Sequence, residues 1–148
     1  MKRFRSQCFL WIILTLSIFI SSCQAKTPEL SSTPIPTPKA GEGMLMGTVQ
    51  NLKGEPLQDI PVRLAQIYRQ GEEGAFVLDL SHSPSSIATT GGKFVVLAIP
   101  PAEYLIVVGK PEDNNYIIYQ DKNGKPITYT IDGGKTIDIG TIQVDFTP

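Results

Sequence analysis

The sequence has very few cysteine, histidine and tryptophan side chains. Its 148 residues include two cysteines, one histidine and one tryptophan. Both cysteines, Cys8 and Cys23, lie near the N-terminus, so the chain beyond them has no thiol for a disulfide bond, a metal site or catalysis. A domain folded from that part of the chain must therefore be stabilised by its apolar core.

Positive charge is also scarce once the N-terminus is set aside. The formal net charge is −1, but three of the 13 Lys and Arg residues are Lys2, Arg3 and Arg5. The chain after residue 22 has ten basic and fourteen acidic residues, which gives a net charge of −4. Because nucleic-acid binding needs a basic surface, this balance argues against a nucleic-acid partner.

Residues 1–22 have the three parts of a secretory signal peptide. The basic residues near the start are followed by an apolar run over residues 9–20 and by the small residues Ser21 and Ser22. The apolar run is shorter than the ~20 residues that a membrane-spanning helix needs. We therefore expect a cleaved signal peptide, and an uncleaved N-terminal anchor is the alternative.

The end of this segment, Ile20-Ser21-Ser22-Cys23, resembles the lipobox of bacterial lipoproteins. The resemblance implies that the Cys23 thiol receives a diacylglyceryl group, that the chain is cut before Cys23, and that acyl chains anchor the protein. It thus implies membrane lipid as a partner and a cell-envelope location. Because Gln24 rather than Asp follows the cysteine, it implies the outer membrane if the cell has two membranes. A chance cysteine beside an ordinary cleavage site is the alternative.

Residues 23–43 are rich in Pro, Ser and Thr and have hardly any apolar side chains. Such a segment cannot bury enough apolar surface to fold, and its prolines favour an extended polyproline II conformation. We interpret it as a disordered linker between the lipidated cysteine and a folded domain. A ligand for a proline-recognising module is the alternative.

Residues 44–148 are expected to form one domain of short strands separated by turns, since no segment has a sustained helical period. We predict strands over residues 44–50, 60–68, 75–80, 87–90, 93–99, 104–108, 116–120, 127–131 and 136–144. The densest apolar sequence, residues 89–109, is predicted to form a central hairpin around Pro100-Pro101. The predicted fold class is all-β, an antiparallel Greek-key β-sandwich of about seven strands that follows the signal peptide and the linker.

Two stretches of this domain resemble carboxypeptidase regulatory-like domains. The first contains Gly47-Thr48-Val49 and Gly54-Glu55-Pro56-Leu57, and the second contains Gly92, Phe94, Val96, Ile99, Pro100-Pro101 and Tyr104. The resemblance implies a transthyretin-like, or prealbumin-like, sandwich with a non-catalytic accessory role. One residue departs from the pattern, because the family has Gly after the two prolines and this chain has Ala102. If that position needs a positive φ, the corner here must form a different turn.

His82 is the only histidine and lies among serines in residues 81–86. A hydrolase would need a nucleophile and an orienting carboxylate beside it, and no spacing in the sequence requires this. We therefore predict no catalytic residue, no cofactor and no metal, and a minor hydrolase centred on His82 is the alternative. Asp121, Asn123 and Gly124 match the start of a calcium loop, but the later ligands are missing. An ordinary turn is the prediction there, with a weak cation site as the alternative.

Three tyrosines, Tyr116, Tyr119 and Tyr129, are the candidate binding face, as an exposed aromatic strip for a glycan or a peptide. Ordinary strand tyrosines are the alternative. Taken together, the sequence predicts a membrane-anchored envelope lipoprotein whose non-catalytic sandwich binds or supports another envelope protein or a surface ligand such as a glycan. The alternatives are a structural spacer or assembly subunit, and an accessory domain of a peptidase or of a glycan-active system.

Overall fold

The computed structural model describes residues 35–71 and 73–147, which contain nine β-strands and one short 3₁₀ helix. The strands are β1 (Gly43–Asn51), β2 (Pro61–Gln70), β3 (Glu73–Val77), β4 (Ser85–Ile87), β5 (Lys93–Ile99), β6 (Ala102–Lys110), β7 (Asn115–Ile118), β8 (Thr128–Ile131) and β9 (Thr136–Val144), and the 3₁₀ helix is Pro111–Asp113. The prediction of an all-β sandwich is confirmed, and β5 and β9 have the predicted bounds. The strand expected over residues 87–90 lies earlier, at β4, because the N–H of Gly92 closes a turn onto the carbonyl of Thr89.

The strands form two sheets. The three-stranded sheet has the order β5-β1-β9, and the six-stranded sheet has the order β3-β2-β6-β7, with β4 also paired to β2 and β8 also paired to β6. In the described part of the chain every pair of named strands is antiparallel except β1 with β9, which is parallel. The parallel pair was not predicted. It arises because the turn at residues 132–135 carries the chain from β8 into the other sheet, where β9 lies beside β1.

The Pro100-Pro101 corner joins the two sheets, since β5 lies in the three-stranded sheet and β6 in the six-stranded one. The predicted central hairpin is therefore wrong. Neither proline has an N–H with which to begin a ladder between these two strands, so β6 pairs elsewhere. Tyr104 fastens the corner: its side chain is buried and its hydroxyl donates to the carbonyl oxygen of Pro100 at 2.9 Å. Similar tyrosine corners occur in other β-sandwiches.

Ala102, the residue that departs from the family pattern, begins β6 and does not have a positive φ. The positive φ of this corner belongs instead to Ala98, at 54°, near the end of β5. Its left-handed conformation shifts the alternation of the strand, so that Ala98 is exposed and Ile99 is fully buried. The corner is thus a different turn from the one that a glycine at position 102 would require.

The main core lies between the sheets. From β6, Tyr104, Ile106 and Val108 face this core, while Leu105 and Val107 form a smaller cluster on the outer face of the six-stranded sheet. This is the alternation that the sequence of β6 predicts. The three-stranded sheet contributes Leu45, Val49, Phe94, Val96, Ile99, Ile142 and Val144. Burial of these side chains supplies the stability that a domain without cysteine cannot obtain from disulfides.

Candidate functional site

An open groove of about 690 Å³ lies along one side of the sandwich. One wall is formed by residues 117–122, at and after the end of β7. The other is formed by residues at and after the end of β9, namely Thr141, Gln143, Val144 and Asp145. Each of these strands is last in its sheet, so in the part of the chain that the structure describes neither has a partner on its outer edge. The groove is therefore bordered by two free sheet edges.

The first of two tight turns beside the groove directly follows β1. The Oδ1 atom of Asn51 accepts hydrogen bonds from the backbone N–H of Lys53 at 2.9 Å and of Glu55 at 3.0 Å. Gly54 completes the turn with a φ of 81°, a conformation that glycine adopts without steric cost. Leu52 lies between these residues, is 63% exposed and lines the groove.

The second turn follows β7 and has the same hydrogen bonds. The Oδ1 atom of Asp121 accepts bonds from the backbone N–H of Asn123 at 2.8 Å and of Lys125 at 2.9 Å. Gly124 has a φ of 78°, within a few degrees of the matching glycine in the first turn. Lys122 and Asp121 itself line the groove. The two walls of the groove are thus extended by two turns of the same design.

We call residues 50–56 and 120–126 the twin turns. Both read Gln-Asx-x-x-Gly-x-Pro, and in both the glutamine and the proline form an isolated β-bridge. In both, the residue after the proline donates to the carbonyl of the residue before the glutamine. These bonds run from Leu57 to Val49 at 3.1 Å and from Ile127 to Tyr119 at 3.2 Å. Strand periodicity does not reveal this repeat. It can be found by searching the sequence for two copies of the same pattern.

The carboxylate of Asp121 is stabilised in its ionised form. The backbone N–H groups of Lys125 and Asn123 donate to it and hold its pKa below the usual range of an aspartate. The segment that matches the start of a calcium loop is therefore a turn in which this oxygen already has two partners. Within the described ranges no group of three His, Cys, Asp or Glu side chains is placed to hold a metal ion.

The three tyrosines of the predicted binding face do not form one strip. Tyr119 and Tyr129 are half-buried against the main core, and burial raises the pKa of the Tyr129 hydroxyl. Tyr116 is 42% exposed and precedes Ile117, which packs on the core, so its side chain lies on the opposite face. The reason is the period of two, since residues 116 and 119 are an odd number of positions apart. Of the three, Tyr119 lines the groove.

His82 lies beside a different and smaller cavity, of about 230 Å³. Its Nδ1 atom is 2.9 Å from Oδ2 of Asp79, whose pKa is lowered by the backbone N–H of Ser81 and then by the His82 ring. The His82 side chain is 83% exposed. The nearby Ser83 hydroxyl accepts a bond from the N–H of Asp79. The loop thus contains an imidazole and a carboxylate, but the described contacts place no nucleophile against the imidazole.

Two elements of the predictions concern residues whose structure is not described. Cys23, the predicted lipidation site, and the apolar run at residues 9–20 both lie outside the described ranges. Among residues 35–71 and 73–147, no helix is long and apolar enough to span a bilayer. The anchor therefore stays a prediction from the sequence.

No protein-family model matches the chain, and no curated protein matches it. Three solved structures are similar to it in fold. A 9R-lipoxygenase from Cyanothece is 16% identical over 77% of this chain and 19% of its own, with a TM-score of 0.41. A candidate carbohydrate-binding protein from Pseudomonas aeruginosa is 17% identical over 73% of this chain and 92% of its own, with a TM-score of 0.43. The major pilin subunit of Bacillus cereus is 21% identical over 74% of this chain and 30% of its own, also with a TM-score of 0.43.

Proposed function

We propose that this chain is a lipoprotein of a bacterial cell envelope, anchored through acylated Cys23, whose β-sandwich binds another envelope component without catalysis. The observation that carries the binding part of the proposal is the groove between the twin turns. A non-catalytic, accessory role for the domain agrees with its resemblance to carboxypeptidase regulatory-like domains.

The groove is suited to binding because its shape is set before any partner arrives. Each twin turn is held by two bonds from backbone N–H groups to one side-chain oxygen, at Asn51 and at Asp121. Each also has a glycine with positive φ. A preformed site loses less conformational entropy on binding than one that must be ordered by its ligand. The groove volume of about 690 Å³ also lies in the range of small-ligand sites.

The order of segments along the sequence supports display at a membrane. The lipobox-like end of the signal is followed by a Pro-rich segment, and the sandwich follows that. At about 3.1 Å per residue in polyproline II, residues 24–38 would span up to roughly 45 Å. The residues that follow belong to the folded part, since the carbonyl of Glu42 accepts from the N–H of Gly134. A domain on such a tether reaches partners well beyond the lipid headgroups.

A non-catalytic role is favoured over a hydrolase by the contacts of His82. The Asp79–His82 pair is exposed to solvent, and it lies by the smaller cavity rather than in the groove. Catalytic imidazoles act on a nucleophile held within hydrogen-bond reach, and the partner of the His82 ring in the described contacts is the carboxylate of Asp79. A pure spacer would in turn have no use for a groove bordered by two fixed turns.

The anchor is tested by replacing Cys23 with serine and following the protein in cell fractions. We expect Cys23→Ser to move the protein out of the membrane fraction, because serine offers no thiol for the diacylglyceryl group. The matched control is Cys8→Ser, which changes the other cysteine inside the predicted signal peptide and should leave fractionation unchanged. A Cys23→Ser protein that stays with the membrane would contradict the proposal.

A further inference from the structure

We infer that the edge of β9 beside the groove binds an extended, basic peptide segment of another protein, which adds to the three-stranded sheet as a fourth strand. This inference rests on the proposed function, since it names the class of envelope component that the groove would hold. Three features carry it: backbone groups of β9 that point outward, an edge without protection against strand addition, and an acidic excess among the lining side chains.

The direction of the β9 backbone groups follows from the hydrogen bonds of β1. In β1, both backbone groups of Val49 are engaged on the side away from β9. Its N–H donates to the carbonyl of Gly92 at 2.8 Å, and its carbonyl accepts from the N–H of Leu57 at 3.1 Å. Successive residues of a strand direct their backbone groups to opposite edges, so the next residue, Gln50, faces β9.

The parallel register then shows which backbone groups of β9 are free. Gln50 has Gln143 as its register partner. In a parallel pair, a residue that faces its neighbour bonds to the residues on either side of its partner. Gln50 is therefore bonded to Ile142 and Val144, and the backbone groups of Thr141 and Gln143 point to the outer edge. Both of these residues line the groove, and β9 is the last strand of its sheet in the described part of the chain.

The last part of this edge lacks the features that protect natural sheet edges, which are lysine, proline and bulges. One bulge is present, at Gly140, which has a φ of 66° and donates its N–H to Oδ1 of Asp138 at 2.8 Å. It lies before Thr141. From Thr141 to Val144 the pairing with β1 continues without a shift, and the sequence Thr-Ile-Gln-Val contains neither charge nor proline. An added strand can therefore pair along these residues.

The side chains that line the groove favour a basic, partly apolar strand. Asp121 and Asp145 contribute two carboxylates and Lys122 contributes one ammonium group, so the lining has a net charge of −1. A strand that carries lysine or arginine complements this excess. Leu52, which is exposed, and Ile127, which is half-buried, offer apolar surface to the alternate side chains of such a strand.

Two other ligand classes match the groove less well. Sugars are commonly held against an exposed aromatic ring, whereas Tyr119, the aromatic residue of the described lining, is half-buried against the main core. A metal cation needs several free acidic oxygens, and Oδ1 of Asp121 already accepts two backbone N–H groups. Neither class matches the regular spacing of N–H and carbonyl groups along β9, which an extended peptide does.

The position of the groove suits a partner other than the lipid surface. The linker joins the domain at the start of β1, where the carbonyl of Glu42 accepts from the N–H of Gly134 at 2.8 Å. From there β1 runs for nine residues, about 30 Å, to Asn51 and the first twin turn. Because β9 is parallel to β1, it ends at the same end. The groove thus lies at the end of β1 opposite to the linker.

The test measures the binding of fluorescent synthetic peptides to the full-length chain, purified from membranes in a non-ionic detergent. The peptides are about seven residues long, the length of a short strand. The first alternates valine and lysine, the second has glutamate in place of lysine, and the third repeats the first with a methyl group on every backbone nitrogen. We expect the first to bind and the second to bind about tenfold more weakly, because its charge is reversed. The third should not bind, because it keeps the charge and the side chains but has no N–H for the ladder.

Two substitutions of one residue separate backbone pairing from side-chain contact. Gln143→Pro removes an N–H that points outward and is not bonded to β1, and proline is tolerated at such edge positions. Gln143→Ala is the matched control, because it removes the side chain and keeps the N–H. We expect binding of the first peptide to weaken about tenfold in Gln143→Pro and to change little in Gln143→Ala. Thermal unfolding shows whether each variant is folded. If Gln143→Pro does not fold, the first and third peptides on the unchanged chain decide.

Four binding results would each overturn the inference. They are equal binding of the first and third peptides, equal affinities of folded Gln143→Pro and Gln143→Ala, binding of the acidic peptide as tight as that of the basic one, and binding of none of the three. A dimer of the peptide-free chain that Gln143→Pro dissociates and Gln143→Ala preserves would also overturn it, because the occupant of the edge would then be a second copy.

Failure of this inference can be told from failure of the proposed function. Cys23→Ser reports on the anchor, and a photo-crosslinker at position 143 reports on the groove whatever the ligand is. If both give the expected result and no peptide binds, the ligand class is wrong while the lipoprotein and its binding groove stand.

Discussion

Asn51 and Asp121 occupy equivalent places in the twin turns, and each accepts two backbone hydrogen bonds through its Oδ1 atom. The residues differ in charge, and so do their partners four positions later. The amide of Asn51 donates to the carboxylate of Glu55 at 2.7 Å, whereas Asp121 is followed by Lys125. A neutral and a charged side chain thus fill the same structural role. The turn requires an oxygen acceptor and a glycine with positive φ, and it does not require a charge.

Asp121→Asn should therefore preserve the second turn, while Asp121→Ala should lower the thermal unfolding temperature. Asparagine supplies the oxygen that the N–H groups of Asn123 and Lys125 need, as Asn51 does in the first turn, and alanine leaves both N–H groups to water. Calorimetry on the two variants checks this. Equal unfolding temperatures for the Asn and Ala variants would show that the side-chain oxygen is not what holds the turn.

The charge of Asp121 should become visible in acid. Its pKa in the folded protein lies below the ordinary value of 3.8, so its contribution to stability is complete above that value and is lost as the pH falls through the folded pKa. Asp121→Asn lacks this ionisation. Denaturant unfolding of both proteins at neutral pH and at about pH 3 should show the larger loss in the wild type.

Gly124→Ala should destabilise the domain by about 1 kcal/mol, because alanine disfavours the left-handed conformation that Gly124 adopts with a φ of 78°. The position is open, so the effect comes from the backbone and not from a clash. Gly74→Ala is the matched control, since Gly74 has no positive φ and room for a methyl group. Chemical denaturation of the two variants gives the comparison, and an equal loss in both would refute the assignment of backbone strain.

Ala98→Gly should stabilise the domain by about 0.5 kcal/mol, because glycine removes the energetic cost of the positive φ at position 98. Glycine also raises the conformational entropy of the unfolded chain, which is destabilising, but this effect is the smaller of the two. Ala102→Gly should do the opposite, since Ala102 is in an extended strand where glycine only adds that entropy. The two variants have the same composition, so the sign of the difference is decisive. It is measured by denaturant unfolding, and a more stable Ala102→Gly variant would mean that the corner is assigned wrongly.

Tyr104→Phe should lower the free energy of unfolding by about 1 kcal/mol, because it removes the hydroxyl of a buried side chain that donates to the carbonyl of Pro100. The control is Tyr116→Phe, whose hydroxyl leaves from an exposed side chain and should change stability little. Denaturant unfolding measures the stability of both variants. A silent Tyr104→Phe would show that the corner is held by packing alone.

The strands were predictable because alternation is a local property. In β6 the period of two alone separates Tyr104, Ile106 and Val108 from Leu105 and Val107, and the structure buries the two sets in different clusters. The connections were not predictable in the same way. A turn signal shows that the chain bends, but not which sheet it enters, and for this reason the Pro100-Pro101 corner was mistaken for a hairpin.

The groove was not predictable from local patterns, because its residues come from separate parts of the chain. Leu52, Gln120 and Gln143 meet only when β1, β7 and β9 end at the same side of the sandwich. The tyrosine strip was predicted from residue type alone, without asking on which face of its strand each tyrosine lies. For this reason the three tyrosines do not form one strip in the structure. The twin turns were visible in the sequence as a repeated pattern, but their meaning depends on both being beside one groove.

Photo-crosslinking in intact membranes shows whether the groove is where the domain binds its partner. A full-length chain with Gln143→p-benzoylphenylalanine places the crosslinker in the groove, and one with Gln58→p-benzoylphenylalanine places it on the surface outside. Mass spectrometry of the irradiated protein should find an added envelope component at position 143 and none at position 58. Adducts at position 58 alone, or equal adducts at both positions, would contradict the claim that the domain binds through its groove.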